Sequence, residues 1–183
     1  ALIYCRIYAR MIPKGPGEEM SASKRMVICQ VSDIHCGSPH FVPDLLERTI
    51  LEVNEIDPTA VVVSGDLTDA GYRQEFETAA DYLRRFRCER VMVIPGNHDS
   101  RNVGYIHFER LFGERYSVLD FDEAVMVGVD SSEPDLNDGR VGREHYEFIR
   151  DSFAGAGDRL KIFVIHHHLV PIPGTGRERN IIF

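Results

Sequence analysis

Residues 91–100 read VMVIPGNHDS: four apolar residues, a Pro-Gly pair, then an amide, an imidazole and a carboxylate in succession. The apolar run predicts a buried strand, and Pro95-Gly96 a turn that ends it. A turn has no need of Asn97, His98 and Asp99 side by side. The reading therefore turns on whether other apolar runs in this chain stop in the same way.

Three others do. MVICQV runs into SDIH, with Asp33 and His35; AVVV runs into SGDLTD, with Asp66 and Asp69; LKIFVI runs into three histidines that start at His166. Between these runs lie two helical patterns. PDLLERTILEVNEI has Pro43 at its start and Leu46, Ile50 and Val53 on one face, and YRQEFETAADYLRRF has Phe76, Ala80 and Leu83 in register. A shorter helix is predicted around 105–112. YSVLDF and AVMVGVD then form a hairpin across Asp122 and Glu123, and the turn-rich SSEPDLNDGRVG precedes a helix carrying Tyr146, Ile149 and Phe153. Strands alternating with helices predict an α/β fold with a βαβαβ core and a mainly parallel sheet. Ligands in such sheets bind beyond the carboxyl ends of the strands, so the four polar clusters are expected on one rim.

The bulk numbers are those of a globular protein. The 183 residues suffice for one domain, and the net charge of −8 argues against a nucleic-acid surface. That charge also means an anionic substrate needs a local source of positive charge. Cys5, Cys29, Cys36 and Cys88 show no zinc or redox spacing, which predicts reduced thiols and a cytoplasmic protein. Residues 1–25 interrupt their apolar positions with Arg6 and Arg10 and contain no run long enough for a membrane helix. They are expected to be a flexible extension before a domain over 26–183.

The donor types at the strand ends suit a metal. Asp33 and His35 are two apart, so an extended segment points both the same way. Asp66 follows a glycine and has two oxygens with which to bridge two ions. Carboxylate, imidazole and amide donors suit Mn, Fe, Zn or Co, and two such ions clamp the attacking and leaving oxygens of a phosphoryl displacement. Each cluster alone has a plainer reading: Gly65-Asp66 is a turn signal, and Asn97 or Asp99 caps a helix. Their joint order favours the metal.

As a set, SDIH, GDLTD, PGNHD and VIHHH resemble the first four motifs of the calcineurin-like metallophosphoesterases, nearest to proteins similar to the class III cyclic-nucleotide phosphodiesterases. The resemblance covers 26 to about 180 and implies two sheets packed as a sandwich and flanked by helices. It implies two divalent metal ions, with Asp33 and His35 on the first, Asp66 bridging, and Asn97 and His166 on the second. His166 is preferred because strand alternation points His167 away, although His168 returns to the same side. The resemblance also implies a metal-bridging hydroxide as nucleophile on a phosphodiester, cyclic nucleotides included. His98 would contact the phosphate and protonate the leaving oxygen, and Asp99 would orient His98. Asn97, His98 and Arg177 are the expected contacts to a small phosphate-ester or nucleotide substrate.

One family motif, Gly-His-x-His, is missing from this sequence. By resemblance each ion then lacks one protein ligand, and the chain is expected to be incomplete at its C-terminus. Uncovered apolar surface would favour a homo-oligomer. The competing function is a scaffold or binding module that keeps the fold with a weak or inactive site.

Overall fold

The computed structural model describes residues 7–8 and 26–170. Seven strands and four helices are seen among them. They are β1 (Ile7–Tyr8), β2 (Ile28–Val31), α1 (Pro43–Ile56), β3 (Ala60–Ser64), α2 (Arg73–Leu83), β4 (Val91–Ile94), α3 (Gly104–Phe112), β5 (Ser117–Asp120), β6 (Ala124–Gly128), α4 (Tyr146–Ala154) and β7 (Leu160–Val164). Apart from β1, the extension expected over 1–25 lies outside the described residues, as does Arg177.

The strands form two sheets. The first has the order β1-β2-β3-β4, with β2, β3 and β4 parallel and β1 antiparallel to β2. The second has the order β5-β6-β7, with the expected β5–β6 hairpin antiparallel and β7 parallel to β6. Three of the five pairings are parallel, as strand–helix alternation predicts, and the strands divide into the two sheets that the family resemblance implies.

Three apolar clusters account for the layering. Cys29, Val31, Val61 and Val63 pack with Leu46, Ile50 and Val53 of α1, Phe76, Ala79 and Leu83 of α2, and Phe108 of α3. The alternate residues Ile28, Ala60, Val62, Met92 and Ile94 meet Phe121, Ala124, Met126 and Val164. Val125 and Val127 face the third cluster, which Ile149 and Phe153 of α4 join. The result is helix, sheet, sheet, helix, with both faces of each sheet covered. That double burial explains why AVVV and AVMV read as unbroken apolar runs. On α4, Tyr146, expected inward, is exposed, and Phe148, which the sequence reading did not name, packs inward with Ile149 and Phe153.

One charge network buttresses the second sheet. The Asp130 side chain is 1 % exposed and accepts Arg115 Nη1 at 2.6 Å. Its other oxygen accepts the Ser132 amide at 2.7 Å and the Ser132 hydroxyl at 2.6 Å. Arg115→Met removes the compensating cation and leaves the carboxylate buried. The expected loss is about 3 to 5 kcal/mol of unfolding free energy, read from urea titration. A loss near that of an exposed surface pair would show that the network carries no such weight.

Candidate metal centre

The ends of β2, β3, β4 and β7 converge on one rim. Past the strands, pairing between the first two segments continues through Asp33 N to Gly65 O at 3.0 Å, His35 N to Asp66 O at 2.9 Å and Cys36 N to Leu67 O at 2.9 Å. This holds the SDIH and GDLTD turns in register. Asp33, His35 and Asp66 all have left-handed backbones, with φ of 58°, 51° and 53°. Asp33 and His35 therefore do not share a side through extended geometry, as the sequence reading has it. They meet because both residues turn left-handed, a costly conformation that clusters at functional sites.

Asp66 is the hub. Its Oδ2 lies 3.6 Å from His35 Nε2, and its Oδ1 lies 3.5 Å from His166 Nε2 and accepts the His98 amide at 3.0 Å. Asp33 Oδ1 is 3.9 Å from the same His35 nitrogen. Asn97 Oδ1 is 3.2 Å from the same His166 nitrogen. So the two oxygens of one buried carboxylate face two groups, Asp33 with His35 and Asn97 with His166. Close packing of backbone lets them meet: a Cβ on Gly96 would lie 2.5 Å from the Asp66 amide nitrogen and 2.9 Å from His166 Cε1.

These residues fit divalent metal on two counts. Donors about 2.0 to 2.2 Å from one ion stand about 3 to 3.6 Å from each other, the range of most of these separations and too long for most hydrogen bonds. The second count is tautomeric. His166 Nδ1 lies 2.8 Å from the Ser64 carbonyl, to which it donates. That leaves a lone pair on Nε2 in the neutral ring, facing the oxygens of Asp66 and Asn97. With the ring in that neutral tautomer three acceptors converge, and a cation at their centre would satisfy all three. Burial, opposed by the Asp66 charge, lowers the His35 pKa and favours the neutral ring a metal needs.

His98 sits beside this hub. One ligand-type atom each of His35, Asp66 and His98 lies within 4.8 Å of the others, and the His35 and His98 rings meet edge to face at 4.5 Å. Asp99 does not orient His98. It lies in a short 3₁₀ turn, His98–Val103, where neighbouring side chains diverge by about 120°. Its fully buried carboxylate instead accepts the amides of Gly96 at 2.9 Å, Leu67 at 3.1 Å and Thr68 at 2.9 Å, and the Thr68 hydroxyl at 2.8 Å. Burial and then Asp66 push its pKa up, against the pull of those donors. Asp99 thus ties the β3 and β4 turns together. The atoms that meet His98 Nδ1 are the Asp69 carbonyl, at 2.6 Å, and Arg101 Nη1, at 2.9 Å.

His166 and His167 part company. The His167 ring is buried, with Nδ1 2.7 Å from Ser131 Oγ and Nε2 3.2 Å from the Asn137 carbonyl. Cys36 is also buried, and burial, then Asp99 and Glu75, push its thiol up to about 12, which keeps it protonated. Two residues escape the sequence reading. Arg101 reaches the Asp69 carbonyl at 3.2 Å, and Asn137 receives both Arg101 and Asn97. Whereas Arg177 lies outside the described residues, Arg101 places a guanidinium at the rim. Its signal was its place three residues after His98; Asn137, in a run of turn residues, had none.

Comparisons with known proteins agree with this architecture. The calcineurin-like phosphoesterase family model matches residues 26–181. Glycerophosphodiester phosphodiesterase GpdQ of Enterobacter lignolyticus is 28 % identical over 63 % of this chain and 44 % of its own length. A probable cyclic nucleotide phosphodiesterase of Ruthia magnifica is 23 % identical over 80 % of this chain and 63 % of its own. Another, of Rhodococcus erythropolis, is 27 % identical over 62 % and 40 %. The chain thus spans about two-fifths to two-thirds of the length of these relatives. With its strand-end clusters gathered around one shared carboxylate and the family model covering most of its length, this chain belongs to the calcineurin-like phosphoesterase family.

Proposed function

We propose that this chain is a phosphodiester hydrolase that uses two divalent cations. The observation that carries the reading is Asp66, whose two oxygens face His35 at 3.6 Å and His166 at 3.5 Å. Asp33 and His35 would hold one ion and Asn97 and His166 the other, with the Asp66 carboxylate shared between the two groups. When bound, such ions acidify water and neutralise phosphate charge. They supply the positive potential that a chain of net charge −8 otherwise lacks.

The remaining work belongs to side chains. His98, protonated on both ring nitrogens, donates its Nε2 proton to the departing oxygen, while its Nδ1–H on the Asp69 carbonyl fixes the ring. Asp99 keeps the two turns registered so that Asp66 and Asn97 face each other. The names of the relatives, a glycerophosphodiester phosphodiesterase and probable cyclic nucleotide phosphodiesterases, support a diester, with cyclic nucleotides within the substrate class. Cys36 and Cys88 are free thiols, and no helix among the described residues is long and apolar enough to cross a membrane. The free thiols support a cytoplasmic setting, and the diester reading makes a small phosphate ester the partner.

The test is metal content after dialysis, paired with hydrolysis of bis(p-nitrophenyl) phosphate. Divalent metal retained at one ion per chain or more is expected, with hydrolysis that chelation stops and manganese restores. No retained metal and no hydrolysis would instead support the scaffold reading.

A further inference from the structure

We propose that Asn137 is a positioning residue that locks the amide of Asn97 with its oxygen toward the cations. The inference rests on the two-cation reading above and adds a residue to it, from a loop that the motifs do not include.

The amide of Asn97 has two orientations of nearly equal shape. With Oδ1 toward His166 Nε2, two acceptors face each other and the site wants a cation. With Nδ2 there instead, the amide donates an ordinary hydrogen bond to the same nitrogen and closes the site without metal. Something must make the second orientation costly. Asn97 Nδ2 donates to Asn137 Oδ1 at 3.3 Å, and a flipped Asn97 would set two oxygens against each other there. Asn137 cannot follow by flipping its own amide. Its Oδ1 also accepts Arg101 Nη2 at 2.8 Å, and a turned Asn137 would present a donor to the guanidinium. Arg101 is fixed in turn by the Asp69 carbonyl at 3.2 Å. A chain of one-way donors thus runs from a guanidinium, which never accepts, through Asn137 to Asn97.

The loop bearing Asn137 is seated for this. Arg140 N donates to Ser131 O at 2.8 Å and closes it. The Asn137 carbonyl meets His167 Nε2 at 3.2 Å, and a Cβ on Gly139 would lie 2.4 Å from His167 Nδ1. His167 therefore anchors the loop while its neighbour His166 faces the cations. Asn137 itself is exposed, so its side chain can be changed without opening the core.

The experiment is manganese titration of the chain by calorimetry, with elemental analysis, on the wild type, Asn137→Leu and Asn137→Asp. Leucine keeps the shape and removes the acceptor; aspartate keeps an oxygen for both donors. We expect Asn137→Leu to weaken one of two ions about 10- to 100-fold, the usual effect of losing an outer partner, and Asn137→Asp to stay within about threefold of wild type. Thermal unfolding of the metal-free proteins should be alike. Asn137→Leu binding both ions as tightly as wild type overturns the proposal, as does an equal loss in both variants, which would assign the effect to loop packing. If Asn137→Leu does not fold, Asn137→Ala takes its place with the same outcomes. Wild type taking up no manganese would overturn the two-cation reading itself, and this proposal with it.

Discussion

Asp66→Ala is expected to empty both metal positions at once, where loss of Asp33 or Asn97 empties one. The reason is that one carboxylate serves both groups: Oδ2 stands 3.6 Å from His35 Nε2 and Oδ1 3.5 Å from His166 Nε2. Its neighbours are confined to one side or the other. The measurement is metal per chain after dialysis, and two ions retained by the variant would reject the bridge. Folding needs a separate control, because Asp66 Oδ1 also accepts the His98 amide at 3.0 Å. Freeing that amide in a half-buried place costs about 1 to 3 kcal/mol. Asp66→Asn resolves the ambiguity. It keeps an oxygen for the His98 amide but puts an NH₂ where one group needs an oxygen, and it removes the charge. It should fold nearly as wild type does and still fail to hold two ions.

Much of this site was visible in strand-end composition, because a parallel strand places whatever follows it on one rim. Asp33, His35, Asp66, Asn97 and His166 are legible for that reason. What the pattern could not carry was local backbone geometry. The left-handed turns at Asp33, His35 and Asp66 are a property of crossing chains held by the Asp33–Gly65 and His35–Asp66 hydrogen bonds, and no periodicity encodes them. Asp99 departs from the role its sequence position suggests for a related cause. Adjacency to His98 along the chain reads as partnership, yet in a 3₁₀ turn adjacent side chains diverge, and its partners lie some 30 residues earlier at Leu67 and Thr68. Asn137 was silent because SSEPDLNDGRVG has the composition of any turn-rich loop. Its meaning comes from His167, whose buried ring fixes where the loop lands. Alternation alone does not reveal the second sheet, since a strand hydrogen-bonded in a hairpin and one in a parallel pair have the same apolar run.

His98→Ala is expected to retain both ions and to lose about 10² to 10⁴ in kcat, the usual share of a general acid. Metal should stay because the ring is beside the hub rather than between its two groups: Asp66 touches the His98 amide, which alanine keeps. A drop in rate alone would not separate proton donation from positioning, so the leaving group must be varied. A nitrophenolate departs readily as an anion and asks little of a donor, whereas an alkoxide or ribose oxygen needs its proton almost as the bond breaks. The loss in His98→Ala should therefore be small for bis(p-nitrophenyl) phosphate and large for an alkyl diester or a cyclic nucleotide. An equal loss on all of them would reduce His98 to a phosphate contact, and no loss on any would remove it from the reaction. Arg101 provides an internal control when the variants are assayed at saturating manganese, because Arg101 also holds Asn137 and through it Asn97. Its Nη1 lies 2.9 Å from His98 Nδ1 and shares the Asp69 carbonyl with it, so Arg101→Met disturbs the setting of the ring without deleting it. If His98 is the acid, that variant should show the same dependence on leaving group in weaker form, because a displaced imidazole still carries the proton but delivers it from the wrong place.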